Sequence, residues 1–306
     1  MKNIISVVGP TASGKTALAV ELAKQLNGEV VSVDSMQIYR GMNIGTAKAT
    51  SAEQQGISHH MMDCLEPNEN CNVQMFVSMA RTAVDEVLHR GKRCVLAGGT
   101  GLYVDHLLSD TKFVDIPTDL SLRERLSNLP DKELLAMLES KDPSSFIKLH
   151  ANDKKRIVRA LEVFMLTGKS ISVWDSMSHL NSQPLDAVII GLNFTDREQL
   201  YARIDKRVDI MFENGLLREV EQLLKVDGFI GSTASSGIGY KELISYFNNE
   251  VSLDEAIFQI KKNTRHYAKR QLTWFRRNKQ VNWIEISENT TSLEVLKEAI
   301  KIVQRS

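Results

Sequence analysis

The chain has 306 residues, 42% of them hydrophobic, so it can bury the core of one large domain or two smaller ones. Its 38 Lys and Arg residues balance 38 Asp and Glu residues, which excludes a global charge that would attract nucleic acid or a membrane. Three cysteines form no CxxC pair, and the opening apolar run is too short for a signal peptide. We therefore predict a globular cytoplasmic protein with no membrane segment.

The predicted elements of the first third of the chain alternate between strands and helices. Short apolar runs predict strands at 3–8, 29–33 and 93–97. Apolar residues at helical spacing predict helices at 15–26 and 73–90. This alternation is typical of an α/β fold with a parallel sheet.

The character of the sequence changes after about residue 112. Charged, helix-forming segments cut by prolines continue to about residue 185 without a convincing strand, which predicts an α-helical insertion at 113–185. Residues 1–112 and 186–306 are then expected to form the α/β core. The elements predicted beyond the insertion are strands at 187–194 and 281–286, helices at about 196–225 and 253–279, and a closing helix.

A phosphate-binding loop follows the first predicted strand, where the sequence GPTASGKT matches the GxxxxGK[ST] pattern. Backbone N–H groups of such a loop turn inward around an anion, and the next helix adds the positive end of its dipole. Lys15 can reach further phosphate oxygens, and Thr16 can hold Mg²⁺. The candidate phosphate-binding residues are Gly9, Pro10, Thr11, Ala12, Ser13, Gly14, Lys15 and Thr16.

The loop pattern alone is typical of ATP-binding and other nucleotide-binding proteins. The DxxG and [NT]KxD motifs of GTPase switches do not occur in the sequence, and the strand at 93–97 ends in two glycines where a motor ATPase would carry an acidic residue. A small-molecule kinase stays open. Asp34 follows the strand at 29–33, so it should face the loop and is the candidate base. The alternatives for Asp34 are a helix-cap or turn residue, or an indirect Mg²⁺ partner.

The segment VVSVDSMQIYRGMNIGTAK at 30–48, together with the phosphate loop, resembles the tRNA dimethylallyltransferases, also called isopentenyl-tRNA transferases. The resemblance covers nearly the whole chain and implies a P-loop NTPase-like core with a helical insertion. The further blocks that carry it are HHMMDCLEPNENCNVQMF (59–76), AGGTGLYVDHLL (97–108), NDKKRIVRALEVFMLTGKS (152–170), RIDKRVDIMFENGLLREV (203–220), GIGYKEL (237–243) and TRHYAKRQLTWFRR (264–277).

The resemblance implies that dimethylallyl diphosphate, and not a nucleotide, occupies the loop. Its five-carbon group would move to the exocyclic amine of the adenine immediately 3′ of the anticodon of tRNA. Asp34 matches the position of the family's base, and Arg207 matches an arginine that clamps the departing diphosphate with Lys15 and a Mg²⁺ bound by Thr16. Thr100 is a further candidate catalytic residue.

The resemblance also implies a set of tRNA contacts and an insertion that grips the anticodon stem-loop. Segment 261–279 adds a second basic stretch, with eight Lys or Arg and no acidic residue, so its Arg276 and Arg277 are candidate RNA phosphate contacts. A basic amphipathic helix packed on the core is the structural alternative for that segment. The contacts implied by family position are Asp34, Ser35, Met36, Gln37, Thr100, Arg123, Lys155, Arg156, Ile157, Val158 and Arg159.

We therefore predict a Mg²⁺-dependent, monomeric, cytoplasmic prenyl transferase acting on tRNA. The alternatives are a P-loop small-molecule kinase and a non-catalytic nucleotide-dependent RNA-binding protein. The His and Cys residues at 59, 60, 64 and 71 match no zinc-ligand spacing, and we interpret His59 and His60 as loop residues near the active edge.

Overall fold

The chain divides into two compact units. The core unit comprises Met1–Leu108 and Leu185–Ser306, and the insertion unit comprises Ser109–Pro184. The insertion unit begins four residues before the predicted insertion at 113–185 and ends one residue before its predicted end. The computed structural model describes residues 1–111, 113, 116–178 and 183–306.

The core unit contains a six-stranded sheet. The strands are β1 (Ile4–Val8), β2 (Gly28–Ser32), β3 (His59–His60), β4 (Arg93–Gly98), β5 (Ala187–Phe194) and β6 (Val281–Ile286). Their order is β3-β2-β4-β1-β5-β6, and every neighbouring pair is parallel. Strands β1 and β2 are buried along their whole length, as expected of apolar strands covered on both faces. The prediction of an α/β fold with a parallel sheet is confirmed.

The helices follow in chain order. Before the insertion they are α1 (Lys15–Gln25), α2 (Ser51–Gln54), α3 (Val73–His89) and α4 (Gly101–Leu108). In the insertion they are α5 (Leu120–Ser127), α6 (Asp131–Lys141), α7 (Pro143–Lys148), α8 (Lys154–Thr167) and α9 (Ile171–Ser178). After it they are α10 (Arg197–Glu213), α11 (Leu216–Leu223), α12 (Tyr240–Phe247), α13 (Leu253–Phe275) and α14 (Ser292–Gln304). No helix in the described ranges is long and apolar enough to cross a membrane.

Two sequence predictions about local structure are wrong. His59 and His60 are not in a loop but form β3, which pairs with Val30 and Val31 of β2. A two-residue polar strand has no apolar alternation from which it could be predicted. The helix predicted at about 196–225 is two helices, because Gly215 between them has a φ of 94°, a left-handed conformation that favours glycine.

The insertion unit has a hydrophobic core of its own. Leucines from α5 and α6 pack against α8, whose apolar face is buried. Leu134 and Leu138 of α6 are 0% exposed, so this small bundle is closed around them. The buried residues of this core are Leu122, Leu126, Leu134, Leu138, Ile157, Val158, Ala160 and Leu161.

Candidate active site

The phosphate loop connects β1 to α1 at the edge of the sheet where the parallel strands end. Gly14 caps α1 with a φ of 91°, and the helix begins at Lys15. Asp34 follows β2 after one further residue, and Gly99 follows β4 directly. Parallel topology therefore brings these three chain segments to one edge, where α/β proteins bind their ligands.

Gln271 of α13 ties the phosphate loop to the end of β4. Its side-chain oxygen accepts a hydrogen bond from the backbone N–H of Thr11 at 2.8 Å. Its side-chain amide donates to the carbonyl oxygen of Gly99 at 2.9 Å. Gln271 could not be predicted from the sequence. It is one amide side chain in the basic segment 261–279, and no motif or periodicity marks it as a contact of the phosphate loop.

Two cations of the loop region have perturbed pKa values. Burial and the nearby Arg207 guanidinium lower the pKa of Lys15 to about 7, although the Asp34 carboxylate opposes the shift. Burial also lowers the pKa of Arg207, against the attraction of Asp34 and Glu53. Lys15 Nζ donates a hydrogen bond to the Pro10 carbonyl at 2.7 Å, so the side chain folds back over the loop. Two partly desolvated cations at one loop are suited to a multiply charged anion.

Two of the cavities at this edge share Ala47, Arg207 and Met211 in their walls. The first, which we call the phosphate cavity, has a volume of about 760 Å³ and is lined by the loop and by cationic side chains. Those cations are Lys15, Lys48, Arg203, Lys206 and Arg207. The second, which we call the Asp34 cavity, has a volume of about 310 Å³. Its apolar walls are Ile204, Val208, Met211, Ile238 and Ile260.

Asp34 holds a turn in the wall of the Asp34 cavity. Its Oδ1 accepts hydrogen bonds from the backbone N–H groups of Met36 at 2.9 Å and Gln37 at 3.4 Å. Among the described residues no hydrogen bond reaches Oδ2. Asp34 therefore has the turn role that the sequence left open, through Oδ1. Its Oδ2 is available to accept a proton.

Thr100 and Tyr267 lie beside Asp34. The Thr100 hydroxyl accepts a hydrogen bond from the backbone N–H of Ser35 at 3.4 Å, which links the start of α4 to the Asp34 turn. Burial raises the pKa of Tyr267 to about 12, with a contribution from the Asp34 charge, so its phenol stays protonated and can donate. Tyr267 lines the Asp34 cavity. The sequence analysis placed Tyr267 only within the basic block at 264–277 and gave it no role in the site.

Residues 37–278 of the chain match the family model described as IPP transferase. The chain belongs to this family. A tRNA dimethylallyltransferase of Acetivibrio thermocellus is 44% identical over 97% of this chain and 96% of that relative. The crystal structure of the full-length tRNA isopentenylpyrophosphate transferase from Bacillus halodurans is 38% identical, with a TM-score of 0.75 over 100% of this chain and 97% of that chain.

A structure of a eukaryotic dimethylallyltransferase acting on tRNA extends the comparison. It is 27% identical, with a TM-score of 0.82 over 100% of this chain and 80% of that chain. The resemblance inferred from the sequence blocks is therefore confirmed, as is the P-loop NTPase-like fold.

In this IPP transferase, the basic run predicted to contact tRNA divides between surface and core. Lys155 and Arg156 are exposed, whereas Ile157 and Val158 are 1% and 3% exposed within the insertion core. We therefore correct the prediction for Ile157 and Val158, whose side chains are core residues. Consecutive residues of a helix point in different directions, so a run of five cannot face a single partner.

Arg123 and Arg159 both pair with the buried Glu162. Arg123 reaches Glu162 Oε2 at 2.8 Å, and Arg159 reaches the same oxygen at 2.8 Å. The backbone N–H of Asp119 donates to the other oxygen at 3.0 Å. Burial alone would raise the pKa of Glu162, but these hydrogen bonds lower it overall. The two arginines therefore have a structural partner, which the sequence analysis did not foresee.

The end of α13 packs on the core through its aromatic residues and also exposes basic residues, so both interpretations that the sequence left open apply to it. Trp274 packs on the core unit and donates a hydrogen bond from Nε1 to Asp105 Oδ2 at 2.7 Å, and Phe275 is 2% exposed. Arg276 and Arg277 are exposed, and the Arg277 guanidinium stacks over the Trp274 ring at 4.0 Å. A packed aromatic face thus carries cations that reach solvent.

Proposed function

We propose that this IPP transferase moves the dimethylallyl group of dimethylallyl diphosphate to the exocyclic amine of the adenine immediately 3′ of the anticodon in tRNA. The observation that carries the proposal is the pair of cavities that share Arg207. One cavity is lined by cations and the phosphate loop, and the other has mainly apolar walls, with the Asp34 carboxylate and the cations Arg207, Lys241 and Arg270 among its lining. A molecule with a diphosphate and a short hydrocarbon chain matches both environments.

In the proposed reaction the amine nitrogen forms a bond to the first carbon of the dimethylallyl group. The bond from that carbon to the diphosphate oxygen breaks, and the diphosphate leaves with the electron pair. Asp34 accepts the proton that the amine loses, because an adenine amine is a weak nucleophile that benefits from a base. Oδ2 is the oxygen suited to this role, since Oδ1 is engaged by the turn.

Lys15 and Arg207 are proposed to stabilise the charge that develops on the leaving diphosphate. The Ser13 hydroxyl lines the phosphate cavity, and it is a buried group without a hydrogen-bond partner among the described residues. An anion in the loop would accept a hydrogen bond from this hydroxyl. The loop residues Gly9 to Thr16 are thus the proposed diphosphate site.

Thr16 is proposed to hold Mg²⁺. Thr16 lines the phosphate cavity, and its hydroxyl oxygen is of the hard type that Mg²⁺ prefers. When bound there, Mg²⁺ would neutralise charge on the diphosphate. Asp34 keeps its role as the base in this proposal.

The RNA partner is proposed to be the anticodon stem-loop, contacted by Ser35, Met36 and Gln37 at the Asp34 turn and by exposed cations. Those cations are Lys155, Arg156, Arg276 and Arg277. We further propose that the enzyme is a monomer and that it works in the cytoplasm. The three free cysteines support the cytoplasm, because reducing compartments keep thiols unpaired. Size-exclusion chromatography tests the monomer.

One labelling experiment separates the candidate functions. The protein is incubated with unmodified tRNA and either labelled dimethylallyl diphosphate or γ-labelled ATP. We expect label in tRNA only with the prenyl diphosphate, on the adenine next to the anticodon. Turnover of ATP to ADP without tRNA would favour the kinase, and RNA binding with no transfer from either compound would favour the non-catalytic protein.

A further inference from the structure

A single carboxylate holds the loop of residues 43–47, which we call the partition loop. Glu219 of α11 accepts hydrogen bonds on Oε2 from the backbone N–H groups of Asn43 at 2.9 Å and Ile44 at 2.8 Å. Its Oε1 accepts from the N–H of Gly45 at 3.0 Å and from the Tyr240 hydroxyl at 2.7 Å. Four donors therefore converge on one side chain.

The partition loop forms part of the wall of both cavities. Gly45, Thr46 and Ala47 line the Asp34 cavity. Asn43, Ile44 and Ala47 line the phosphate cavity. A shift of this loop would therefore change where the hydrocarbon chain lies relative to the diphosphate, while the phosphate loop and Arg207, which line the phosphate cavity from other chain segments, keep their positions.

The other side of the partition loop is connected to the candidate base. The Gln37 side-chain amide donates to the carbonyl oxygens of Thr46 at 3.2 Å and Ala47 at 3.5 Å. The backbone N–H of Gln37 donates to Asp34 Oδ1 at 3.4 Å. The loop thus lies between two anchors, one at Glu219 and one at the Asp34 turn.

Tyr240 fixes the loop sterically as well as through Glu219. A Cβ atom on Gly45 would lie 2.6 Å from the Tyr240 ring, so only glycine allows this approach. Tyr240 is 1% exposed, and burial together with the Glu219 charge raises its pKa well above the ordinary value. The phenol therefore stays protonated and donates to the carboxylate.

We propose that Glu219 is a positioning residue for prenyl transfer, acting through the partition loop without touching either substrate. Glu219 is not among the described residues that line the two cavities. It borders a separate open groove, which Ile44 also lines. Its carboxylate sets the loop so that the diphosphate and the reacting carbon are held in register with Asp34. This inference rests on the proposed function of the site.

The test compares Glu219→Gln with the wild type in single-turnover prenyl transfer at saturating tRNA. Glutamine keeps the shape but offers one acceptor oxygen for four donors, so the loop should lose its position. Misplacement of reacting groups by about 1 Å costs on the order of 100-fold in rate, and we expect a loss of about 10- to 100-fold. Affinity for inorganic diphosphate should stay within about twofold, because the phosphate loop is held separately by Gln271.

Three further variants keep the test informative if Glu219→Gln folds poorly. Gly45→Ala forces the loop away from Tyr240 with Glu219 intact and should reproduce the loss. Tyr240→Phe removes one donor of four and should cost less. Glu221→Gln, on the exposed side of the same helix and paired with Lys225, should transfer at the wild-type rate.

A Glu219→Gln rate within about twofold of the wild type, far less than a misplaced loop would cost, would overturn the inference. An equal loss of diphosphate affinity would also overturn it, because that would indicate general damage to the fold. A wild-type protein that transfers no label would instead contradict the proposed function.

Discussion

The core unit and the insertion unit use their charged residues in different ways. At the core edge, Lys15, Asp34 and Arg207 lie at cavities, and burial lowers the pKa values of both cations while the Asp34 charge opposes the shift. In the insertion, Arg123 and Arg159 neutralise a carboxylate that is 0% exposed. The active-site charges, on the turn after β2, at the start of α1 and on α10, line cavities, whereas the two insertion arginines, on α5 and α8, face a buried carboxylate. Before a binding role is assigned to a basic residue on a helix, the side chains that it faces must therefore be known.

The largest effect should come from Asp34 in the core unit. Asp34→Asn keeps Oδ1 as an acceptor for the turn but cannot take a proton, so the fold and diphosphate affinity should be retained. We expect the single-turnover rate of prenyl transfer to fall by about 100- to 10,000-fold, the usual value of general-base catalysis. Transfer within about threefold of the wild-type rate, well outside that range, would make Asp34 a positioning residue only.

The matching variant in the insertion should affect stability. Glu162→Gln removes the charge that two arginines share, and we expect a loss of about 2 to 3 kcal/mol, less than for a fully buried pair because the guanidinium groups reach solvent. Hydrogen exchange of α5 and α8 measures it, with exposed Glu139→Gln as the control. Diphosphate affinity should not change. Unaltered exchange in α5 and α8 would show that Glu162 contributes little.

A smaller, pH-dependent effect should come from Lys15. Because its pKa is lowered to about 7, the free protein loses this charge as the pH rises above 7, while a bound diphosphate favours the charged form. Binding should therefore take up a proton, and affinity should fall by up to about tenfold per pH unit above pH 7. Calorimetry of diphosphate binding in buffers of different ionisation enthalpy measures the uptake.

The control for this prediction is Lys15→Gln, which should bind the anion more weakly and without the linked proton. Proton uptake that persists in Lys15→Gln would assign the titration to another group.

The smallest effects compare the exposed cations of the two units. The paired variants Lys155→Ala with Arg156→Ala, and Arg276→Ala with Arg277→Ala, should each weaken tRNA binding. The slope of log affinity against log salt should shrink by about 0.7 to 0.9 for each lost phosphate contact. Lys297→Ala with Lys301→Ala, on the exposed side of α14, is the control. A pair whose slope equals that of the wild type has a structural role.

Much of the core could be predicted because local sequence and fold agree there. Apolar runs marked β1, β2, β4, β5 and β6 within a residue or two, and GPTASGKT specified a loop whose conformation depends on its own glycines. Asp34 could be placed because the ends of parallel strands meet at one edge. The family blocks supplied Arg207, which no local pattern distinguishes from its neighbours.

Only the tertiary structure decided which distant side chains complete the site. Gln271 forms a hydrogen bond with Thr11 of the phosphate loop, which lies 260 positions away in the chain. Glu219 forms hydrogen bonds with residues of the partition loop that lie 174 to 176 positions away. Such contacts depend on how helices pack on the sheet, and a single amide or carboxylate on a helix surface carries no periodic signal. For the same reason Ile157, Val158, Arg123 and Arg159 were assigned by sequence position, whereas their burial and partners depend on the helix face that each occupies.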